Sequence, residues 1–561
     1  MEQRATERLD VLVIGGGGAG LRAAIEAAEA GANVAIVSQS RVGYGSLTAM
    51  SGGGFSSSRL PGKGDSAPEG WQQHFEDTVA GGHYLSDQSL ARLLALRVPG
   101  EIAQLDRYGV RLARPDAAPW LAYSVNPGHR AATIMYGEHI IGTDFTFPMR
   151  DYAQQQGVRF FEGMLVTRLL LHDRQVVGAV ALSRDGAIRR FAARATVLAA
   201  GGAGQLFGRT DNSTGSTGDG YALAYEAGLP LRDMEFMQFY PLATGNGSPG
   251  IFYEIVVVSA GAKLLNAEGD DILARHGLTD PVSLTRDLVS RVVMREVLEG
   301  RGIDGGVILD LSAIPEMVLH DLAPLLPRGS NSGKMRIKVA PTAHTHLGGV
   351  IINERTETSL RGLYAAGEVC GGVHGANRLS GNALSELFVF GAIAGAAAAK
   401  RAADLPAPGL PDEIAAAECR RLESLVGPSG PDARALRSEL QRIMWQQAGV
   451  IRSGEPLSAA LQEIERLRGC LPALRAEAGQ ALQYLLKTHN LFLCAEMLCR
   501  AALIRTESRG AHCRSDYPER NDRDWLQSIV IQRDDERPNL SFRPVSLSYL
   551  KPATDDATGQ Q

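Results

Sequence analysis

Three glycines near the start of the chain, Gly15, Gly17 and Gly20, stand at the spacing GxGxxG. A turn without side chains lets backbone N–H groups and the N-terminus of a following helix approach a negatively charged pyrophosphate. The motif carries that meaning only between a strand and a helix. Val11 to Ile14 is a short apolar run, Gly15 to Gly20 a turn, Leu21 to Ala30 a helix-forming stretch and Asn33 to Val37 a second strand, so the βαβ context is present. Dinucleotide binding is the expectation. The second strand runs into VAIVSQS, where Ser38 replaces the acid that often accepts a ribose hydroxyl; a serine can make that bond with less discrimination. Far downstream, GLYAAGE (362–368) reads as another strand, ending at Glu368, an acid suited to the ribityl hydroxyls of a flavin. This second signature favours FAD over NAD.

These groups need a scaffold, and the chain supplies recurring strand–turn–helix units. ATVLAAGGAG (195–204) is a further strand followed by a polar Gly/Ser/Thr loop and a helix, and GLYAAGE is followed by a helix from about Asn382. Strands on both sides of a long insertion point to one nucleotide domain interrupted by another module. The fold class expected is α/β: a Rossmann-like FAD-binding domain (1–240 and 347–404) interrupted by an α+β capping domain (241–346). Pro406, Pro408 and Pro411 mark a linker, after which a C-terminal helical domain (405–530) shows apolar residues at helical spacing, such as Leu457, Leu461, Ile464 and Leu467. Residues 531–561 form a tail whose charged stretch RDDERP (533–538) reads as a solvated turn.

Composition removes several classes. At 561 residues the chain exceeds what one hydrophobic core supports, and a formal charge of −5 gives no basic footprint for nucleic acid. The six cysteines are scattered without a CxxC pair, so no disulfide framework and no metal or iron–sulfur site of the chain's own is expected. The N-terminus shows no ordered signal-peptide regions, which points to the cytoplasm, with membrane association only through a partner. The apolar run Leu387 to Ala399, closed by Lys400, is shorter than a bilayer span and reads as a buried helix, so no transmembrane segment is expected.

Six segments carry a family resemblance, in order: STGDGYALAYEAG (216–228), DMEFMQFYP (233–241), TRDLVSR (285–291), PTAHTHLGG (341–349), GANRLSGNALSELFVFG (375–391) and TESRGAHCRSDYPERND (506–522). Over nearly its whole length the chain resembles the succinate dehydrogenase, fumarate reductase and L-aspartate oxidase flavoproteins. The resemblance implies FAD-dependent hydride transfer to or from a carboxylate-bearing substrate bound at the seam between the FAD and capping domains. It implies Asp219 near the adenosine part of FAD, Glu368 at the ribityl chain, and Asn382, Ala383 and Leu384 under the flavin ring. With these go Gly15, Gly17, Gly18, Ala19, Gly20, Ser38, Ser46, Gly53 and Arg378 as cofactor contacts. For catalysis it nominates His344 and Arg378 as carboxylate clamps, a guanidinium being suited to bidentate binding, and Arg286 as proton carrier.

The departures bear on substrate. SLTAMSGGG places Leu47 where membrane-bound relatives carry a histidine bonded to the flavin, so FAD is expected to be held non-covalently. Tyr240 stands where relatives have a substrate-binding histidine, and a phenol carries no positive charge near neutrality. His346 stands where relatives have a sulfur or apolar side chain, and it reads equally as an added polar contact or as core. Glu254 is kept from a Glu/Arg proton relay, but no arginine follows closely. Two other readings remain open here: aspartate oxidase-like amine oxidation, and an electron-transfer chain docking on an iron–sulfur protein, as in adenylylsulfate reductases.

Overall fold

The computed structural model describes residues 6–58, 70–113, 126–130, 134–244, 260–322, 336–406, 409–410, 412–428, 432–534 and 537–552. Its centre is a seven-stranded sheet in which the strand Thr6–Ile14 is flanked by Val34–Ser38 on one side and Ile188–Leu198 on the other, both parallel to it. Leu363–Ala365 adds a further parallel partner on Ile188–Leu198. Both faces of the central strand are covered, which is why Val11 to Ile14 is a continuous buried apolar run rather than an alternating one. The strand read from 195 starts earlier and stops at Leu198; Ala199 to Ala203 form the loop beyond it, and Gly204 opens a short 3-10 helix.

On this sheet lies the helix Gly18–Glu29, and against it the long helix Asn382–Asp404. Their contact depends on small residues: a Cβ at Gly395 would lie 2.2 Å from the Ala23 carbonyl oxygen. By length and composition the long helix could cross a membrane, yet 78% of its most apolar window is buried inside the fold, as expected of a core helix.

The capping module has its own four-stranded antiparallel sheet, in the order Met237–Ala243, Arg336–His346, Val307–Asp310, Lys263–Leu265. The helix Arg286–Leu298 packs on it through Val289, Val292 and Val293. Its first strand straddles residue 240, so the strand carrying Tyr240 is already part of this sheet.

Behind these units the helices Ala433–Gln447, Gly454–Arg468 and Gln480–Ile504 form the helical region, with Leu457, Ile464 and Leu467 buried and Leu461 half-buried. Within the stretch RDDERP, Arg533 and Asp534 end one strand and Arg537 and Pro538 begin the next: Gln527–Asp534 pairs with Arg537–Pro544, and also with Leu231–Arg232. A fully buried ionic network locks the region down, with Arg505 donating to Glu235 (2.6 Å) and Glu507 (3.0 Å), and Arg509 donating to the same Glu507 (2.8 Å).

Candidate active site

The glycine turn leads into a helix whose N-cap residue carries no side chain. Gly17 precedes Gly18–Glu29 in extended conformation, the Gly18 N–H donates to Thr48 Oγ1 (3.2 Å), and Gly17, Gly18 and Ala19 border a cavity of about 490 Å³ on which this positive helix end bears. Gly15 has φ +116°, and a Cβ there would lie 2.1 Å from the Ala199 carbonyl oxygen, so no other residue fits the turn. Gly15, Gly17, Gly18, Ala19, Ser38, Ser46, Gly53, Asp219, Glu368, Arg378, Ala383 and Leu384 all line this cavity. Two expected contacts take other roles. Gly20 closes the turn from behind, since a Cβ there would sit 2.0 Å from the Gly15 carbonyl oxygen. The side chain of Asn382 is spent on His74 (2.8 Å) and Thr78 (2.9 Å), away from the cavity lining.

The cavity suits a flavin dinucleotide on several independent grounds. Beyond the helix N-terminus, the Gln39 amide donates to the Gly215 carbonyl (2.7 Å), while its carbonyl oxygen is buried at the cavity without a partner among the described residues. His374 is similar: Nε2 pairs with Glu386 (3.0 Å), and Nδ1 has no hydrogen-bond partner among the described residues. The carboxyl residues Glu368 and Asp219 line it as well. Burial pushes Glu368 up to about 7, although the His346 backbone N–H donates to it (2.9 Å). Burial likewise raises Asp219, which accepts from Thr217 (3.0 Å) and Asn490 (2.8 Å). Gln39 and His374 carry no recognisable local pattern and escape sequence reasoning.

At the seam, groups far apart in sequence converge. Arg286 is the first residue of the capping helix; its guanidinium donates to Ser380 Oγ (3.1 Å) and lies 4.6 Å from the centre of the Tyr240 ring. Gln238 ties the two modules together, donating to Asn377 (2.6 Å) and to the Arg378 carbonyl (2.8 Å) while its own carbonyl faces Arg286 at 3.5 Å. Arg378 Nη2 is 3.1 Å from His344 Nε2. A guanidinium only donates, so Nε2 accepts, and the proton sits on Nδ1, which donates to Asp211 at 2.6 Å. Burial lowers the His344 pKa, and Arg286 and Arg378 lower it further against the pull of Asp211, so the ring is neutral. Tyr240 meets His344 edge-on, with centroids 5.1 Å apart.

Sequence reasoning brought Arg286, His344, Arg378 and Tyr240 to this place, and missed Asp211, Gln238 and Ser380. His346 is a core contact that also borders the cavity: Nε2–H donates to the Met234 carbonyl (2.9 Å), and burial lowers its pKa to about 4. Leu47 begins a short helix lining the cavity. Glu254 lies outside the described residues. Among the described residues no group of three or more His, Cys, Asp or Glu could hold a metal.

A mixed sheet with a parallel dinucleotide-binding core and an interposed capping domain, with Arg286 and Arg378 from different elements lining one cavity, defines a flavin-dependent oxidoreductase. Comparison with known proteins narrows this. Residues 10–384 match the model described as FAD binding domain, and residues 437–557 the one described as fumarate reductase flavoprotein C-term. One of the subunits of the CoM/CoB fumarate reductase of Methanothermobacter marburgensis is 35% identical, the match covering 93% of this chain and 97% of that one. The succinate dehydrogenase flavoprotein subunit of Rickettsia bellii is 32% identical over 97% and 96% of the two chains. Among solved structures, a variant of the E. coli quinol fumarate reductase FrdA superposes with a TM-score of 0.87 at 30% identity, covering 98% of each chain. The Archaeoglobus fulgidus adenylylsulfate reductase shares the fold at 20% identity. The chain belongs to the succinate dehydrogenase/fumarate reductase flavoprotein family, is an FAD-dependent oxidoreductase of that type, and has FAD as its cofactor.

Proposed function

We propose that the protein transfers two electrons between FAD and a carbon–carbon bond adjacent to a carboxylate, at the seam between the FAD and capping domains. The observation that carries the reading is the convergence of Arg286 from the capping helix with Arg378 and His344 beside Ala383 and Leu384 on one cavity. When bound, FAD supplies or accepts the hydride. The protein's own groups do the rest. Arg378, steadied by His344, presents its guanidinium to a carboxylate and draws electron density from the adjacent carbon. The N-terminus of Asn382–Asp404, with no side-chain cap, favours negative charge where Ala383 and Leu384 line the cavity. Arg286 carries the proton on the opposite face, and Ser380 and Gln238 hold its guanidinium in place.

Anaerobic mixing tests this. The dithionite-reduced protein should be reoxidised by an unsaturated carboxylic acid, and Arg286→Ala should lose turnover while keeping bound FAD; retained turnover in that variant removes Arg286 from the role. Several relatives are named as subunits, which supports a partner chain, and an iron–sulfur carrier is the class the resemblance implies. We place the chain in the cytoplasm, in contact with any membrane only through that partner. Amine oxidation is the second reading, favoured by Leu47 in the position of the flavin-linking histidine; bleaching of the oxidised protein by aspartate would select it.

A further inference from the structure

Resting on the reading just given, the charge and shape of the seam point to a narrower substrate class. We infer that the substrate is a monocarboxylic acid whose double bond lies next to the carboxylate and whose far carbon carries an apolar group, or the saturated counterpart.

Among the described residues, the cationic side chains lining the cavity are Arg286 and Arg378, and the imidazole between them is neutral. The Asp211 carboxylate, bonded to that imidazole, offsets part of their charge. What remains suits one carboxylate. The wall that continues from Tyr240 is apolar: Ile134, Tyr136 and Ile140 line the cavity and belong with Tyr240 to a single hydrophobic cluster that continues into the capping core. Tyr136 and Ile134 stand on the strand paired with Gly54–Ser56, and their side chains lie against Gly54, where a Cβ would be 2.8 Å from the Tyr136 ring and 3.2 Å from the Ile134 side chain. The aromatic ring of Tyr240 already stacks under Arg286 and presents its edge to His344. A second carboxylate lodged against this wall would give up its water without a cation to replace it. An aryl or branched alkyl group, by contrast, gains from contact with Ile134, Tyr136 and Tyr240.

The reaction balances simply. The double bond receives a hydride at its far carbon and a proton at the carbon beside the carboxylate, two C–H bonds replace the π bond, and the cofactor is left oxidised by two electrons. In the assay those electrons come from reduced viologen.

The test uses the FAD-loaded full chain. Reoxidation of the reduced protein by cinnamate is compared with that by fumarate, and calorimetric binding of 3-phenylpropionate to the oxidised protein with that of succinate. The monocarboxylates should win by about tenfold or more in both measurements. Tyr240→His should erode the preference by strengthening succinate binding, while Tyr240→Phe, which keeps the ring, should preserve it. If Tyr240→His fails to fold or to hold FAD, the wild-type ratio and Tyr240→Phe decide alone. A preference for fumarate and succinate overturns the inference and leaves the hydride-transfer reading intact. Failure of both acid classes to bind or react with fully loaded protein overturns both.

Discussion

Asp211 offers a test of how the seam is held together. Its Oδ2 accepts from His344 Nδ1 at 2.6 Å and its Oδ1 from the Asn212 amide at 3.0 Å, so both oxygens act as acceptors. Asp211→Ala removes both and leaves the Nδ1–H group buried without a partner. A buried hydrogen bond to a charged acceptor is worth about 1.5–3 kcal/mol, and the orphaned donor favours the other tautomer. That tautomer points a proton at Arg378, where two donors would meet across the present 3.1 Å contact. Carboxylate binding should therefore weaken by roughly 10- to 150-fold, the same free energy expressed as affinity. Asp211→Asn keeps one acceptor and should lose less. The assay is saturation kinetics of reoxidation together with FAD content: KM should rise far more than kcat falls, because His344 positions the clamp and does not touch the cofactor's chemistry. An Asp211→Ala protein with full FAD and an unchanged KM would refute the chain of reasoning from tautomer to clamp.

Three further outcomes follow from the same geometry. Glu368 ionises at about 7, and flavin hydroxyls donating to it would bind the ionised form, so FAD affinity measured by fluorescence titration should rise as pH rises through about 7; Glu368→Gln should flatten that dependence, and a wild-type profile already flat would exclude the contact. Burial holds His129 and His346 near pKa 4, well below their unfolded value of about 6.5. Their contribution to stability is therefore complete above about pH 6.5 and falls by about 1.4 kcal/mol per pH unit for each as pH drops towards 4. Glu368, raised in the folded state, acts in the opposite direction between its unfolded pKa and about 7. The net is a melting temperature that declines on acidification, and His346→Asn should lessen the slope. Finally, Leu47 cannot form a bond to the flavin, so denatured and precipitated protein should leave all its FAD in the supernatant; yellow pellet protein would contradict this.

The nucleotide half of the fold is legible because its determinants are local. Gly15, Gly17 and Gly20 act within one turn, and the apolar run at Val11 to Ile14 announces a strand covered on both faces. Arg286, His344 and Arg378 are legible only through family resemblance, since each sits in a different element and nothing in its immediate neighbours marks it. The boundaries of the strands, and the docking of Gln527–Asp534 on Leu231–Arg232, depend on pairing partners remote in the chain.

What the sequence by itself determined is a glycine turn of the spacing suited to a pyrophosphate and the acid Glu368 closing the stretch GLYAAGE; that Leu47 stands where relatives link the flavin came from the family resemblance. The first two are matters of residue type at a short spacing. Only the tertiary structure decided that Asp211 reaches His344 across 133 positions and thereby sets its tautomer. Tertiary packing also turned Asn382 towards His74, and set the apolar wall of Ile134, Tyr136 and Ile140 beside Tyr240. A hydrogen bond or a dry surface is a property of neighbours in space, and the chain brings those neighbours together only when its modules close on one another.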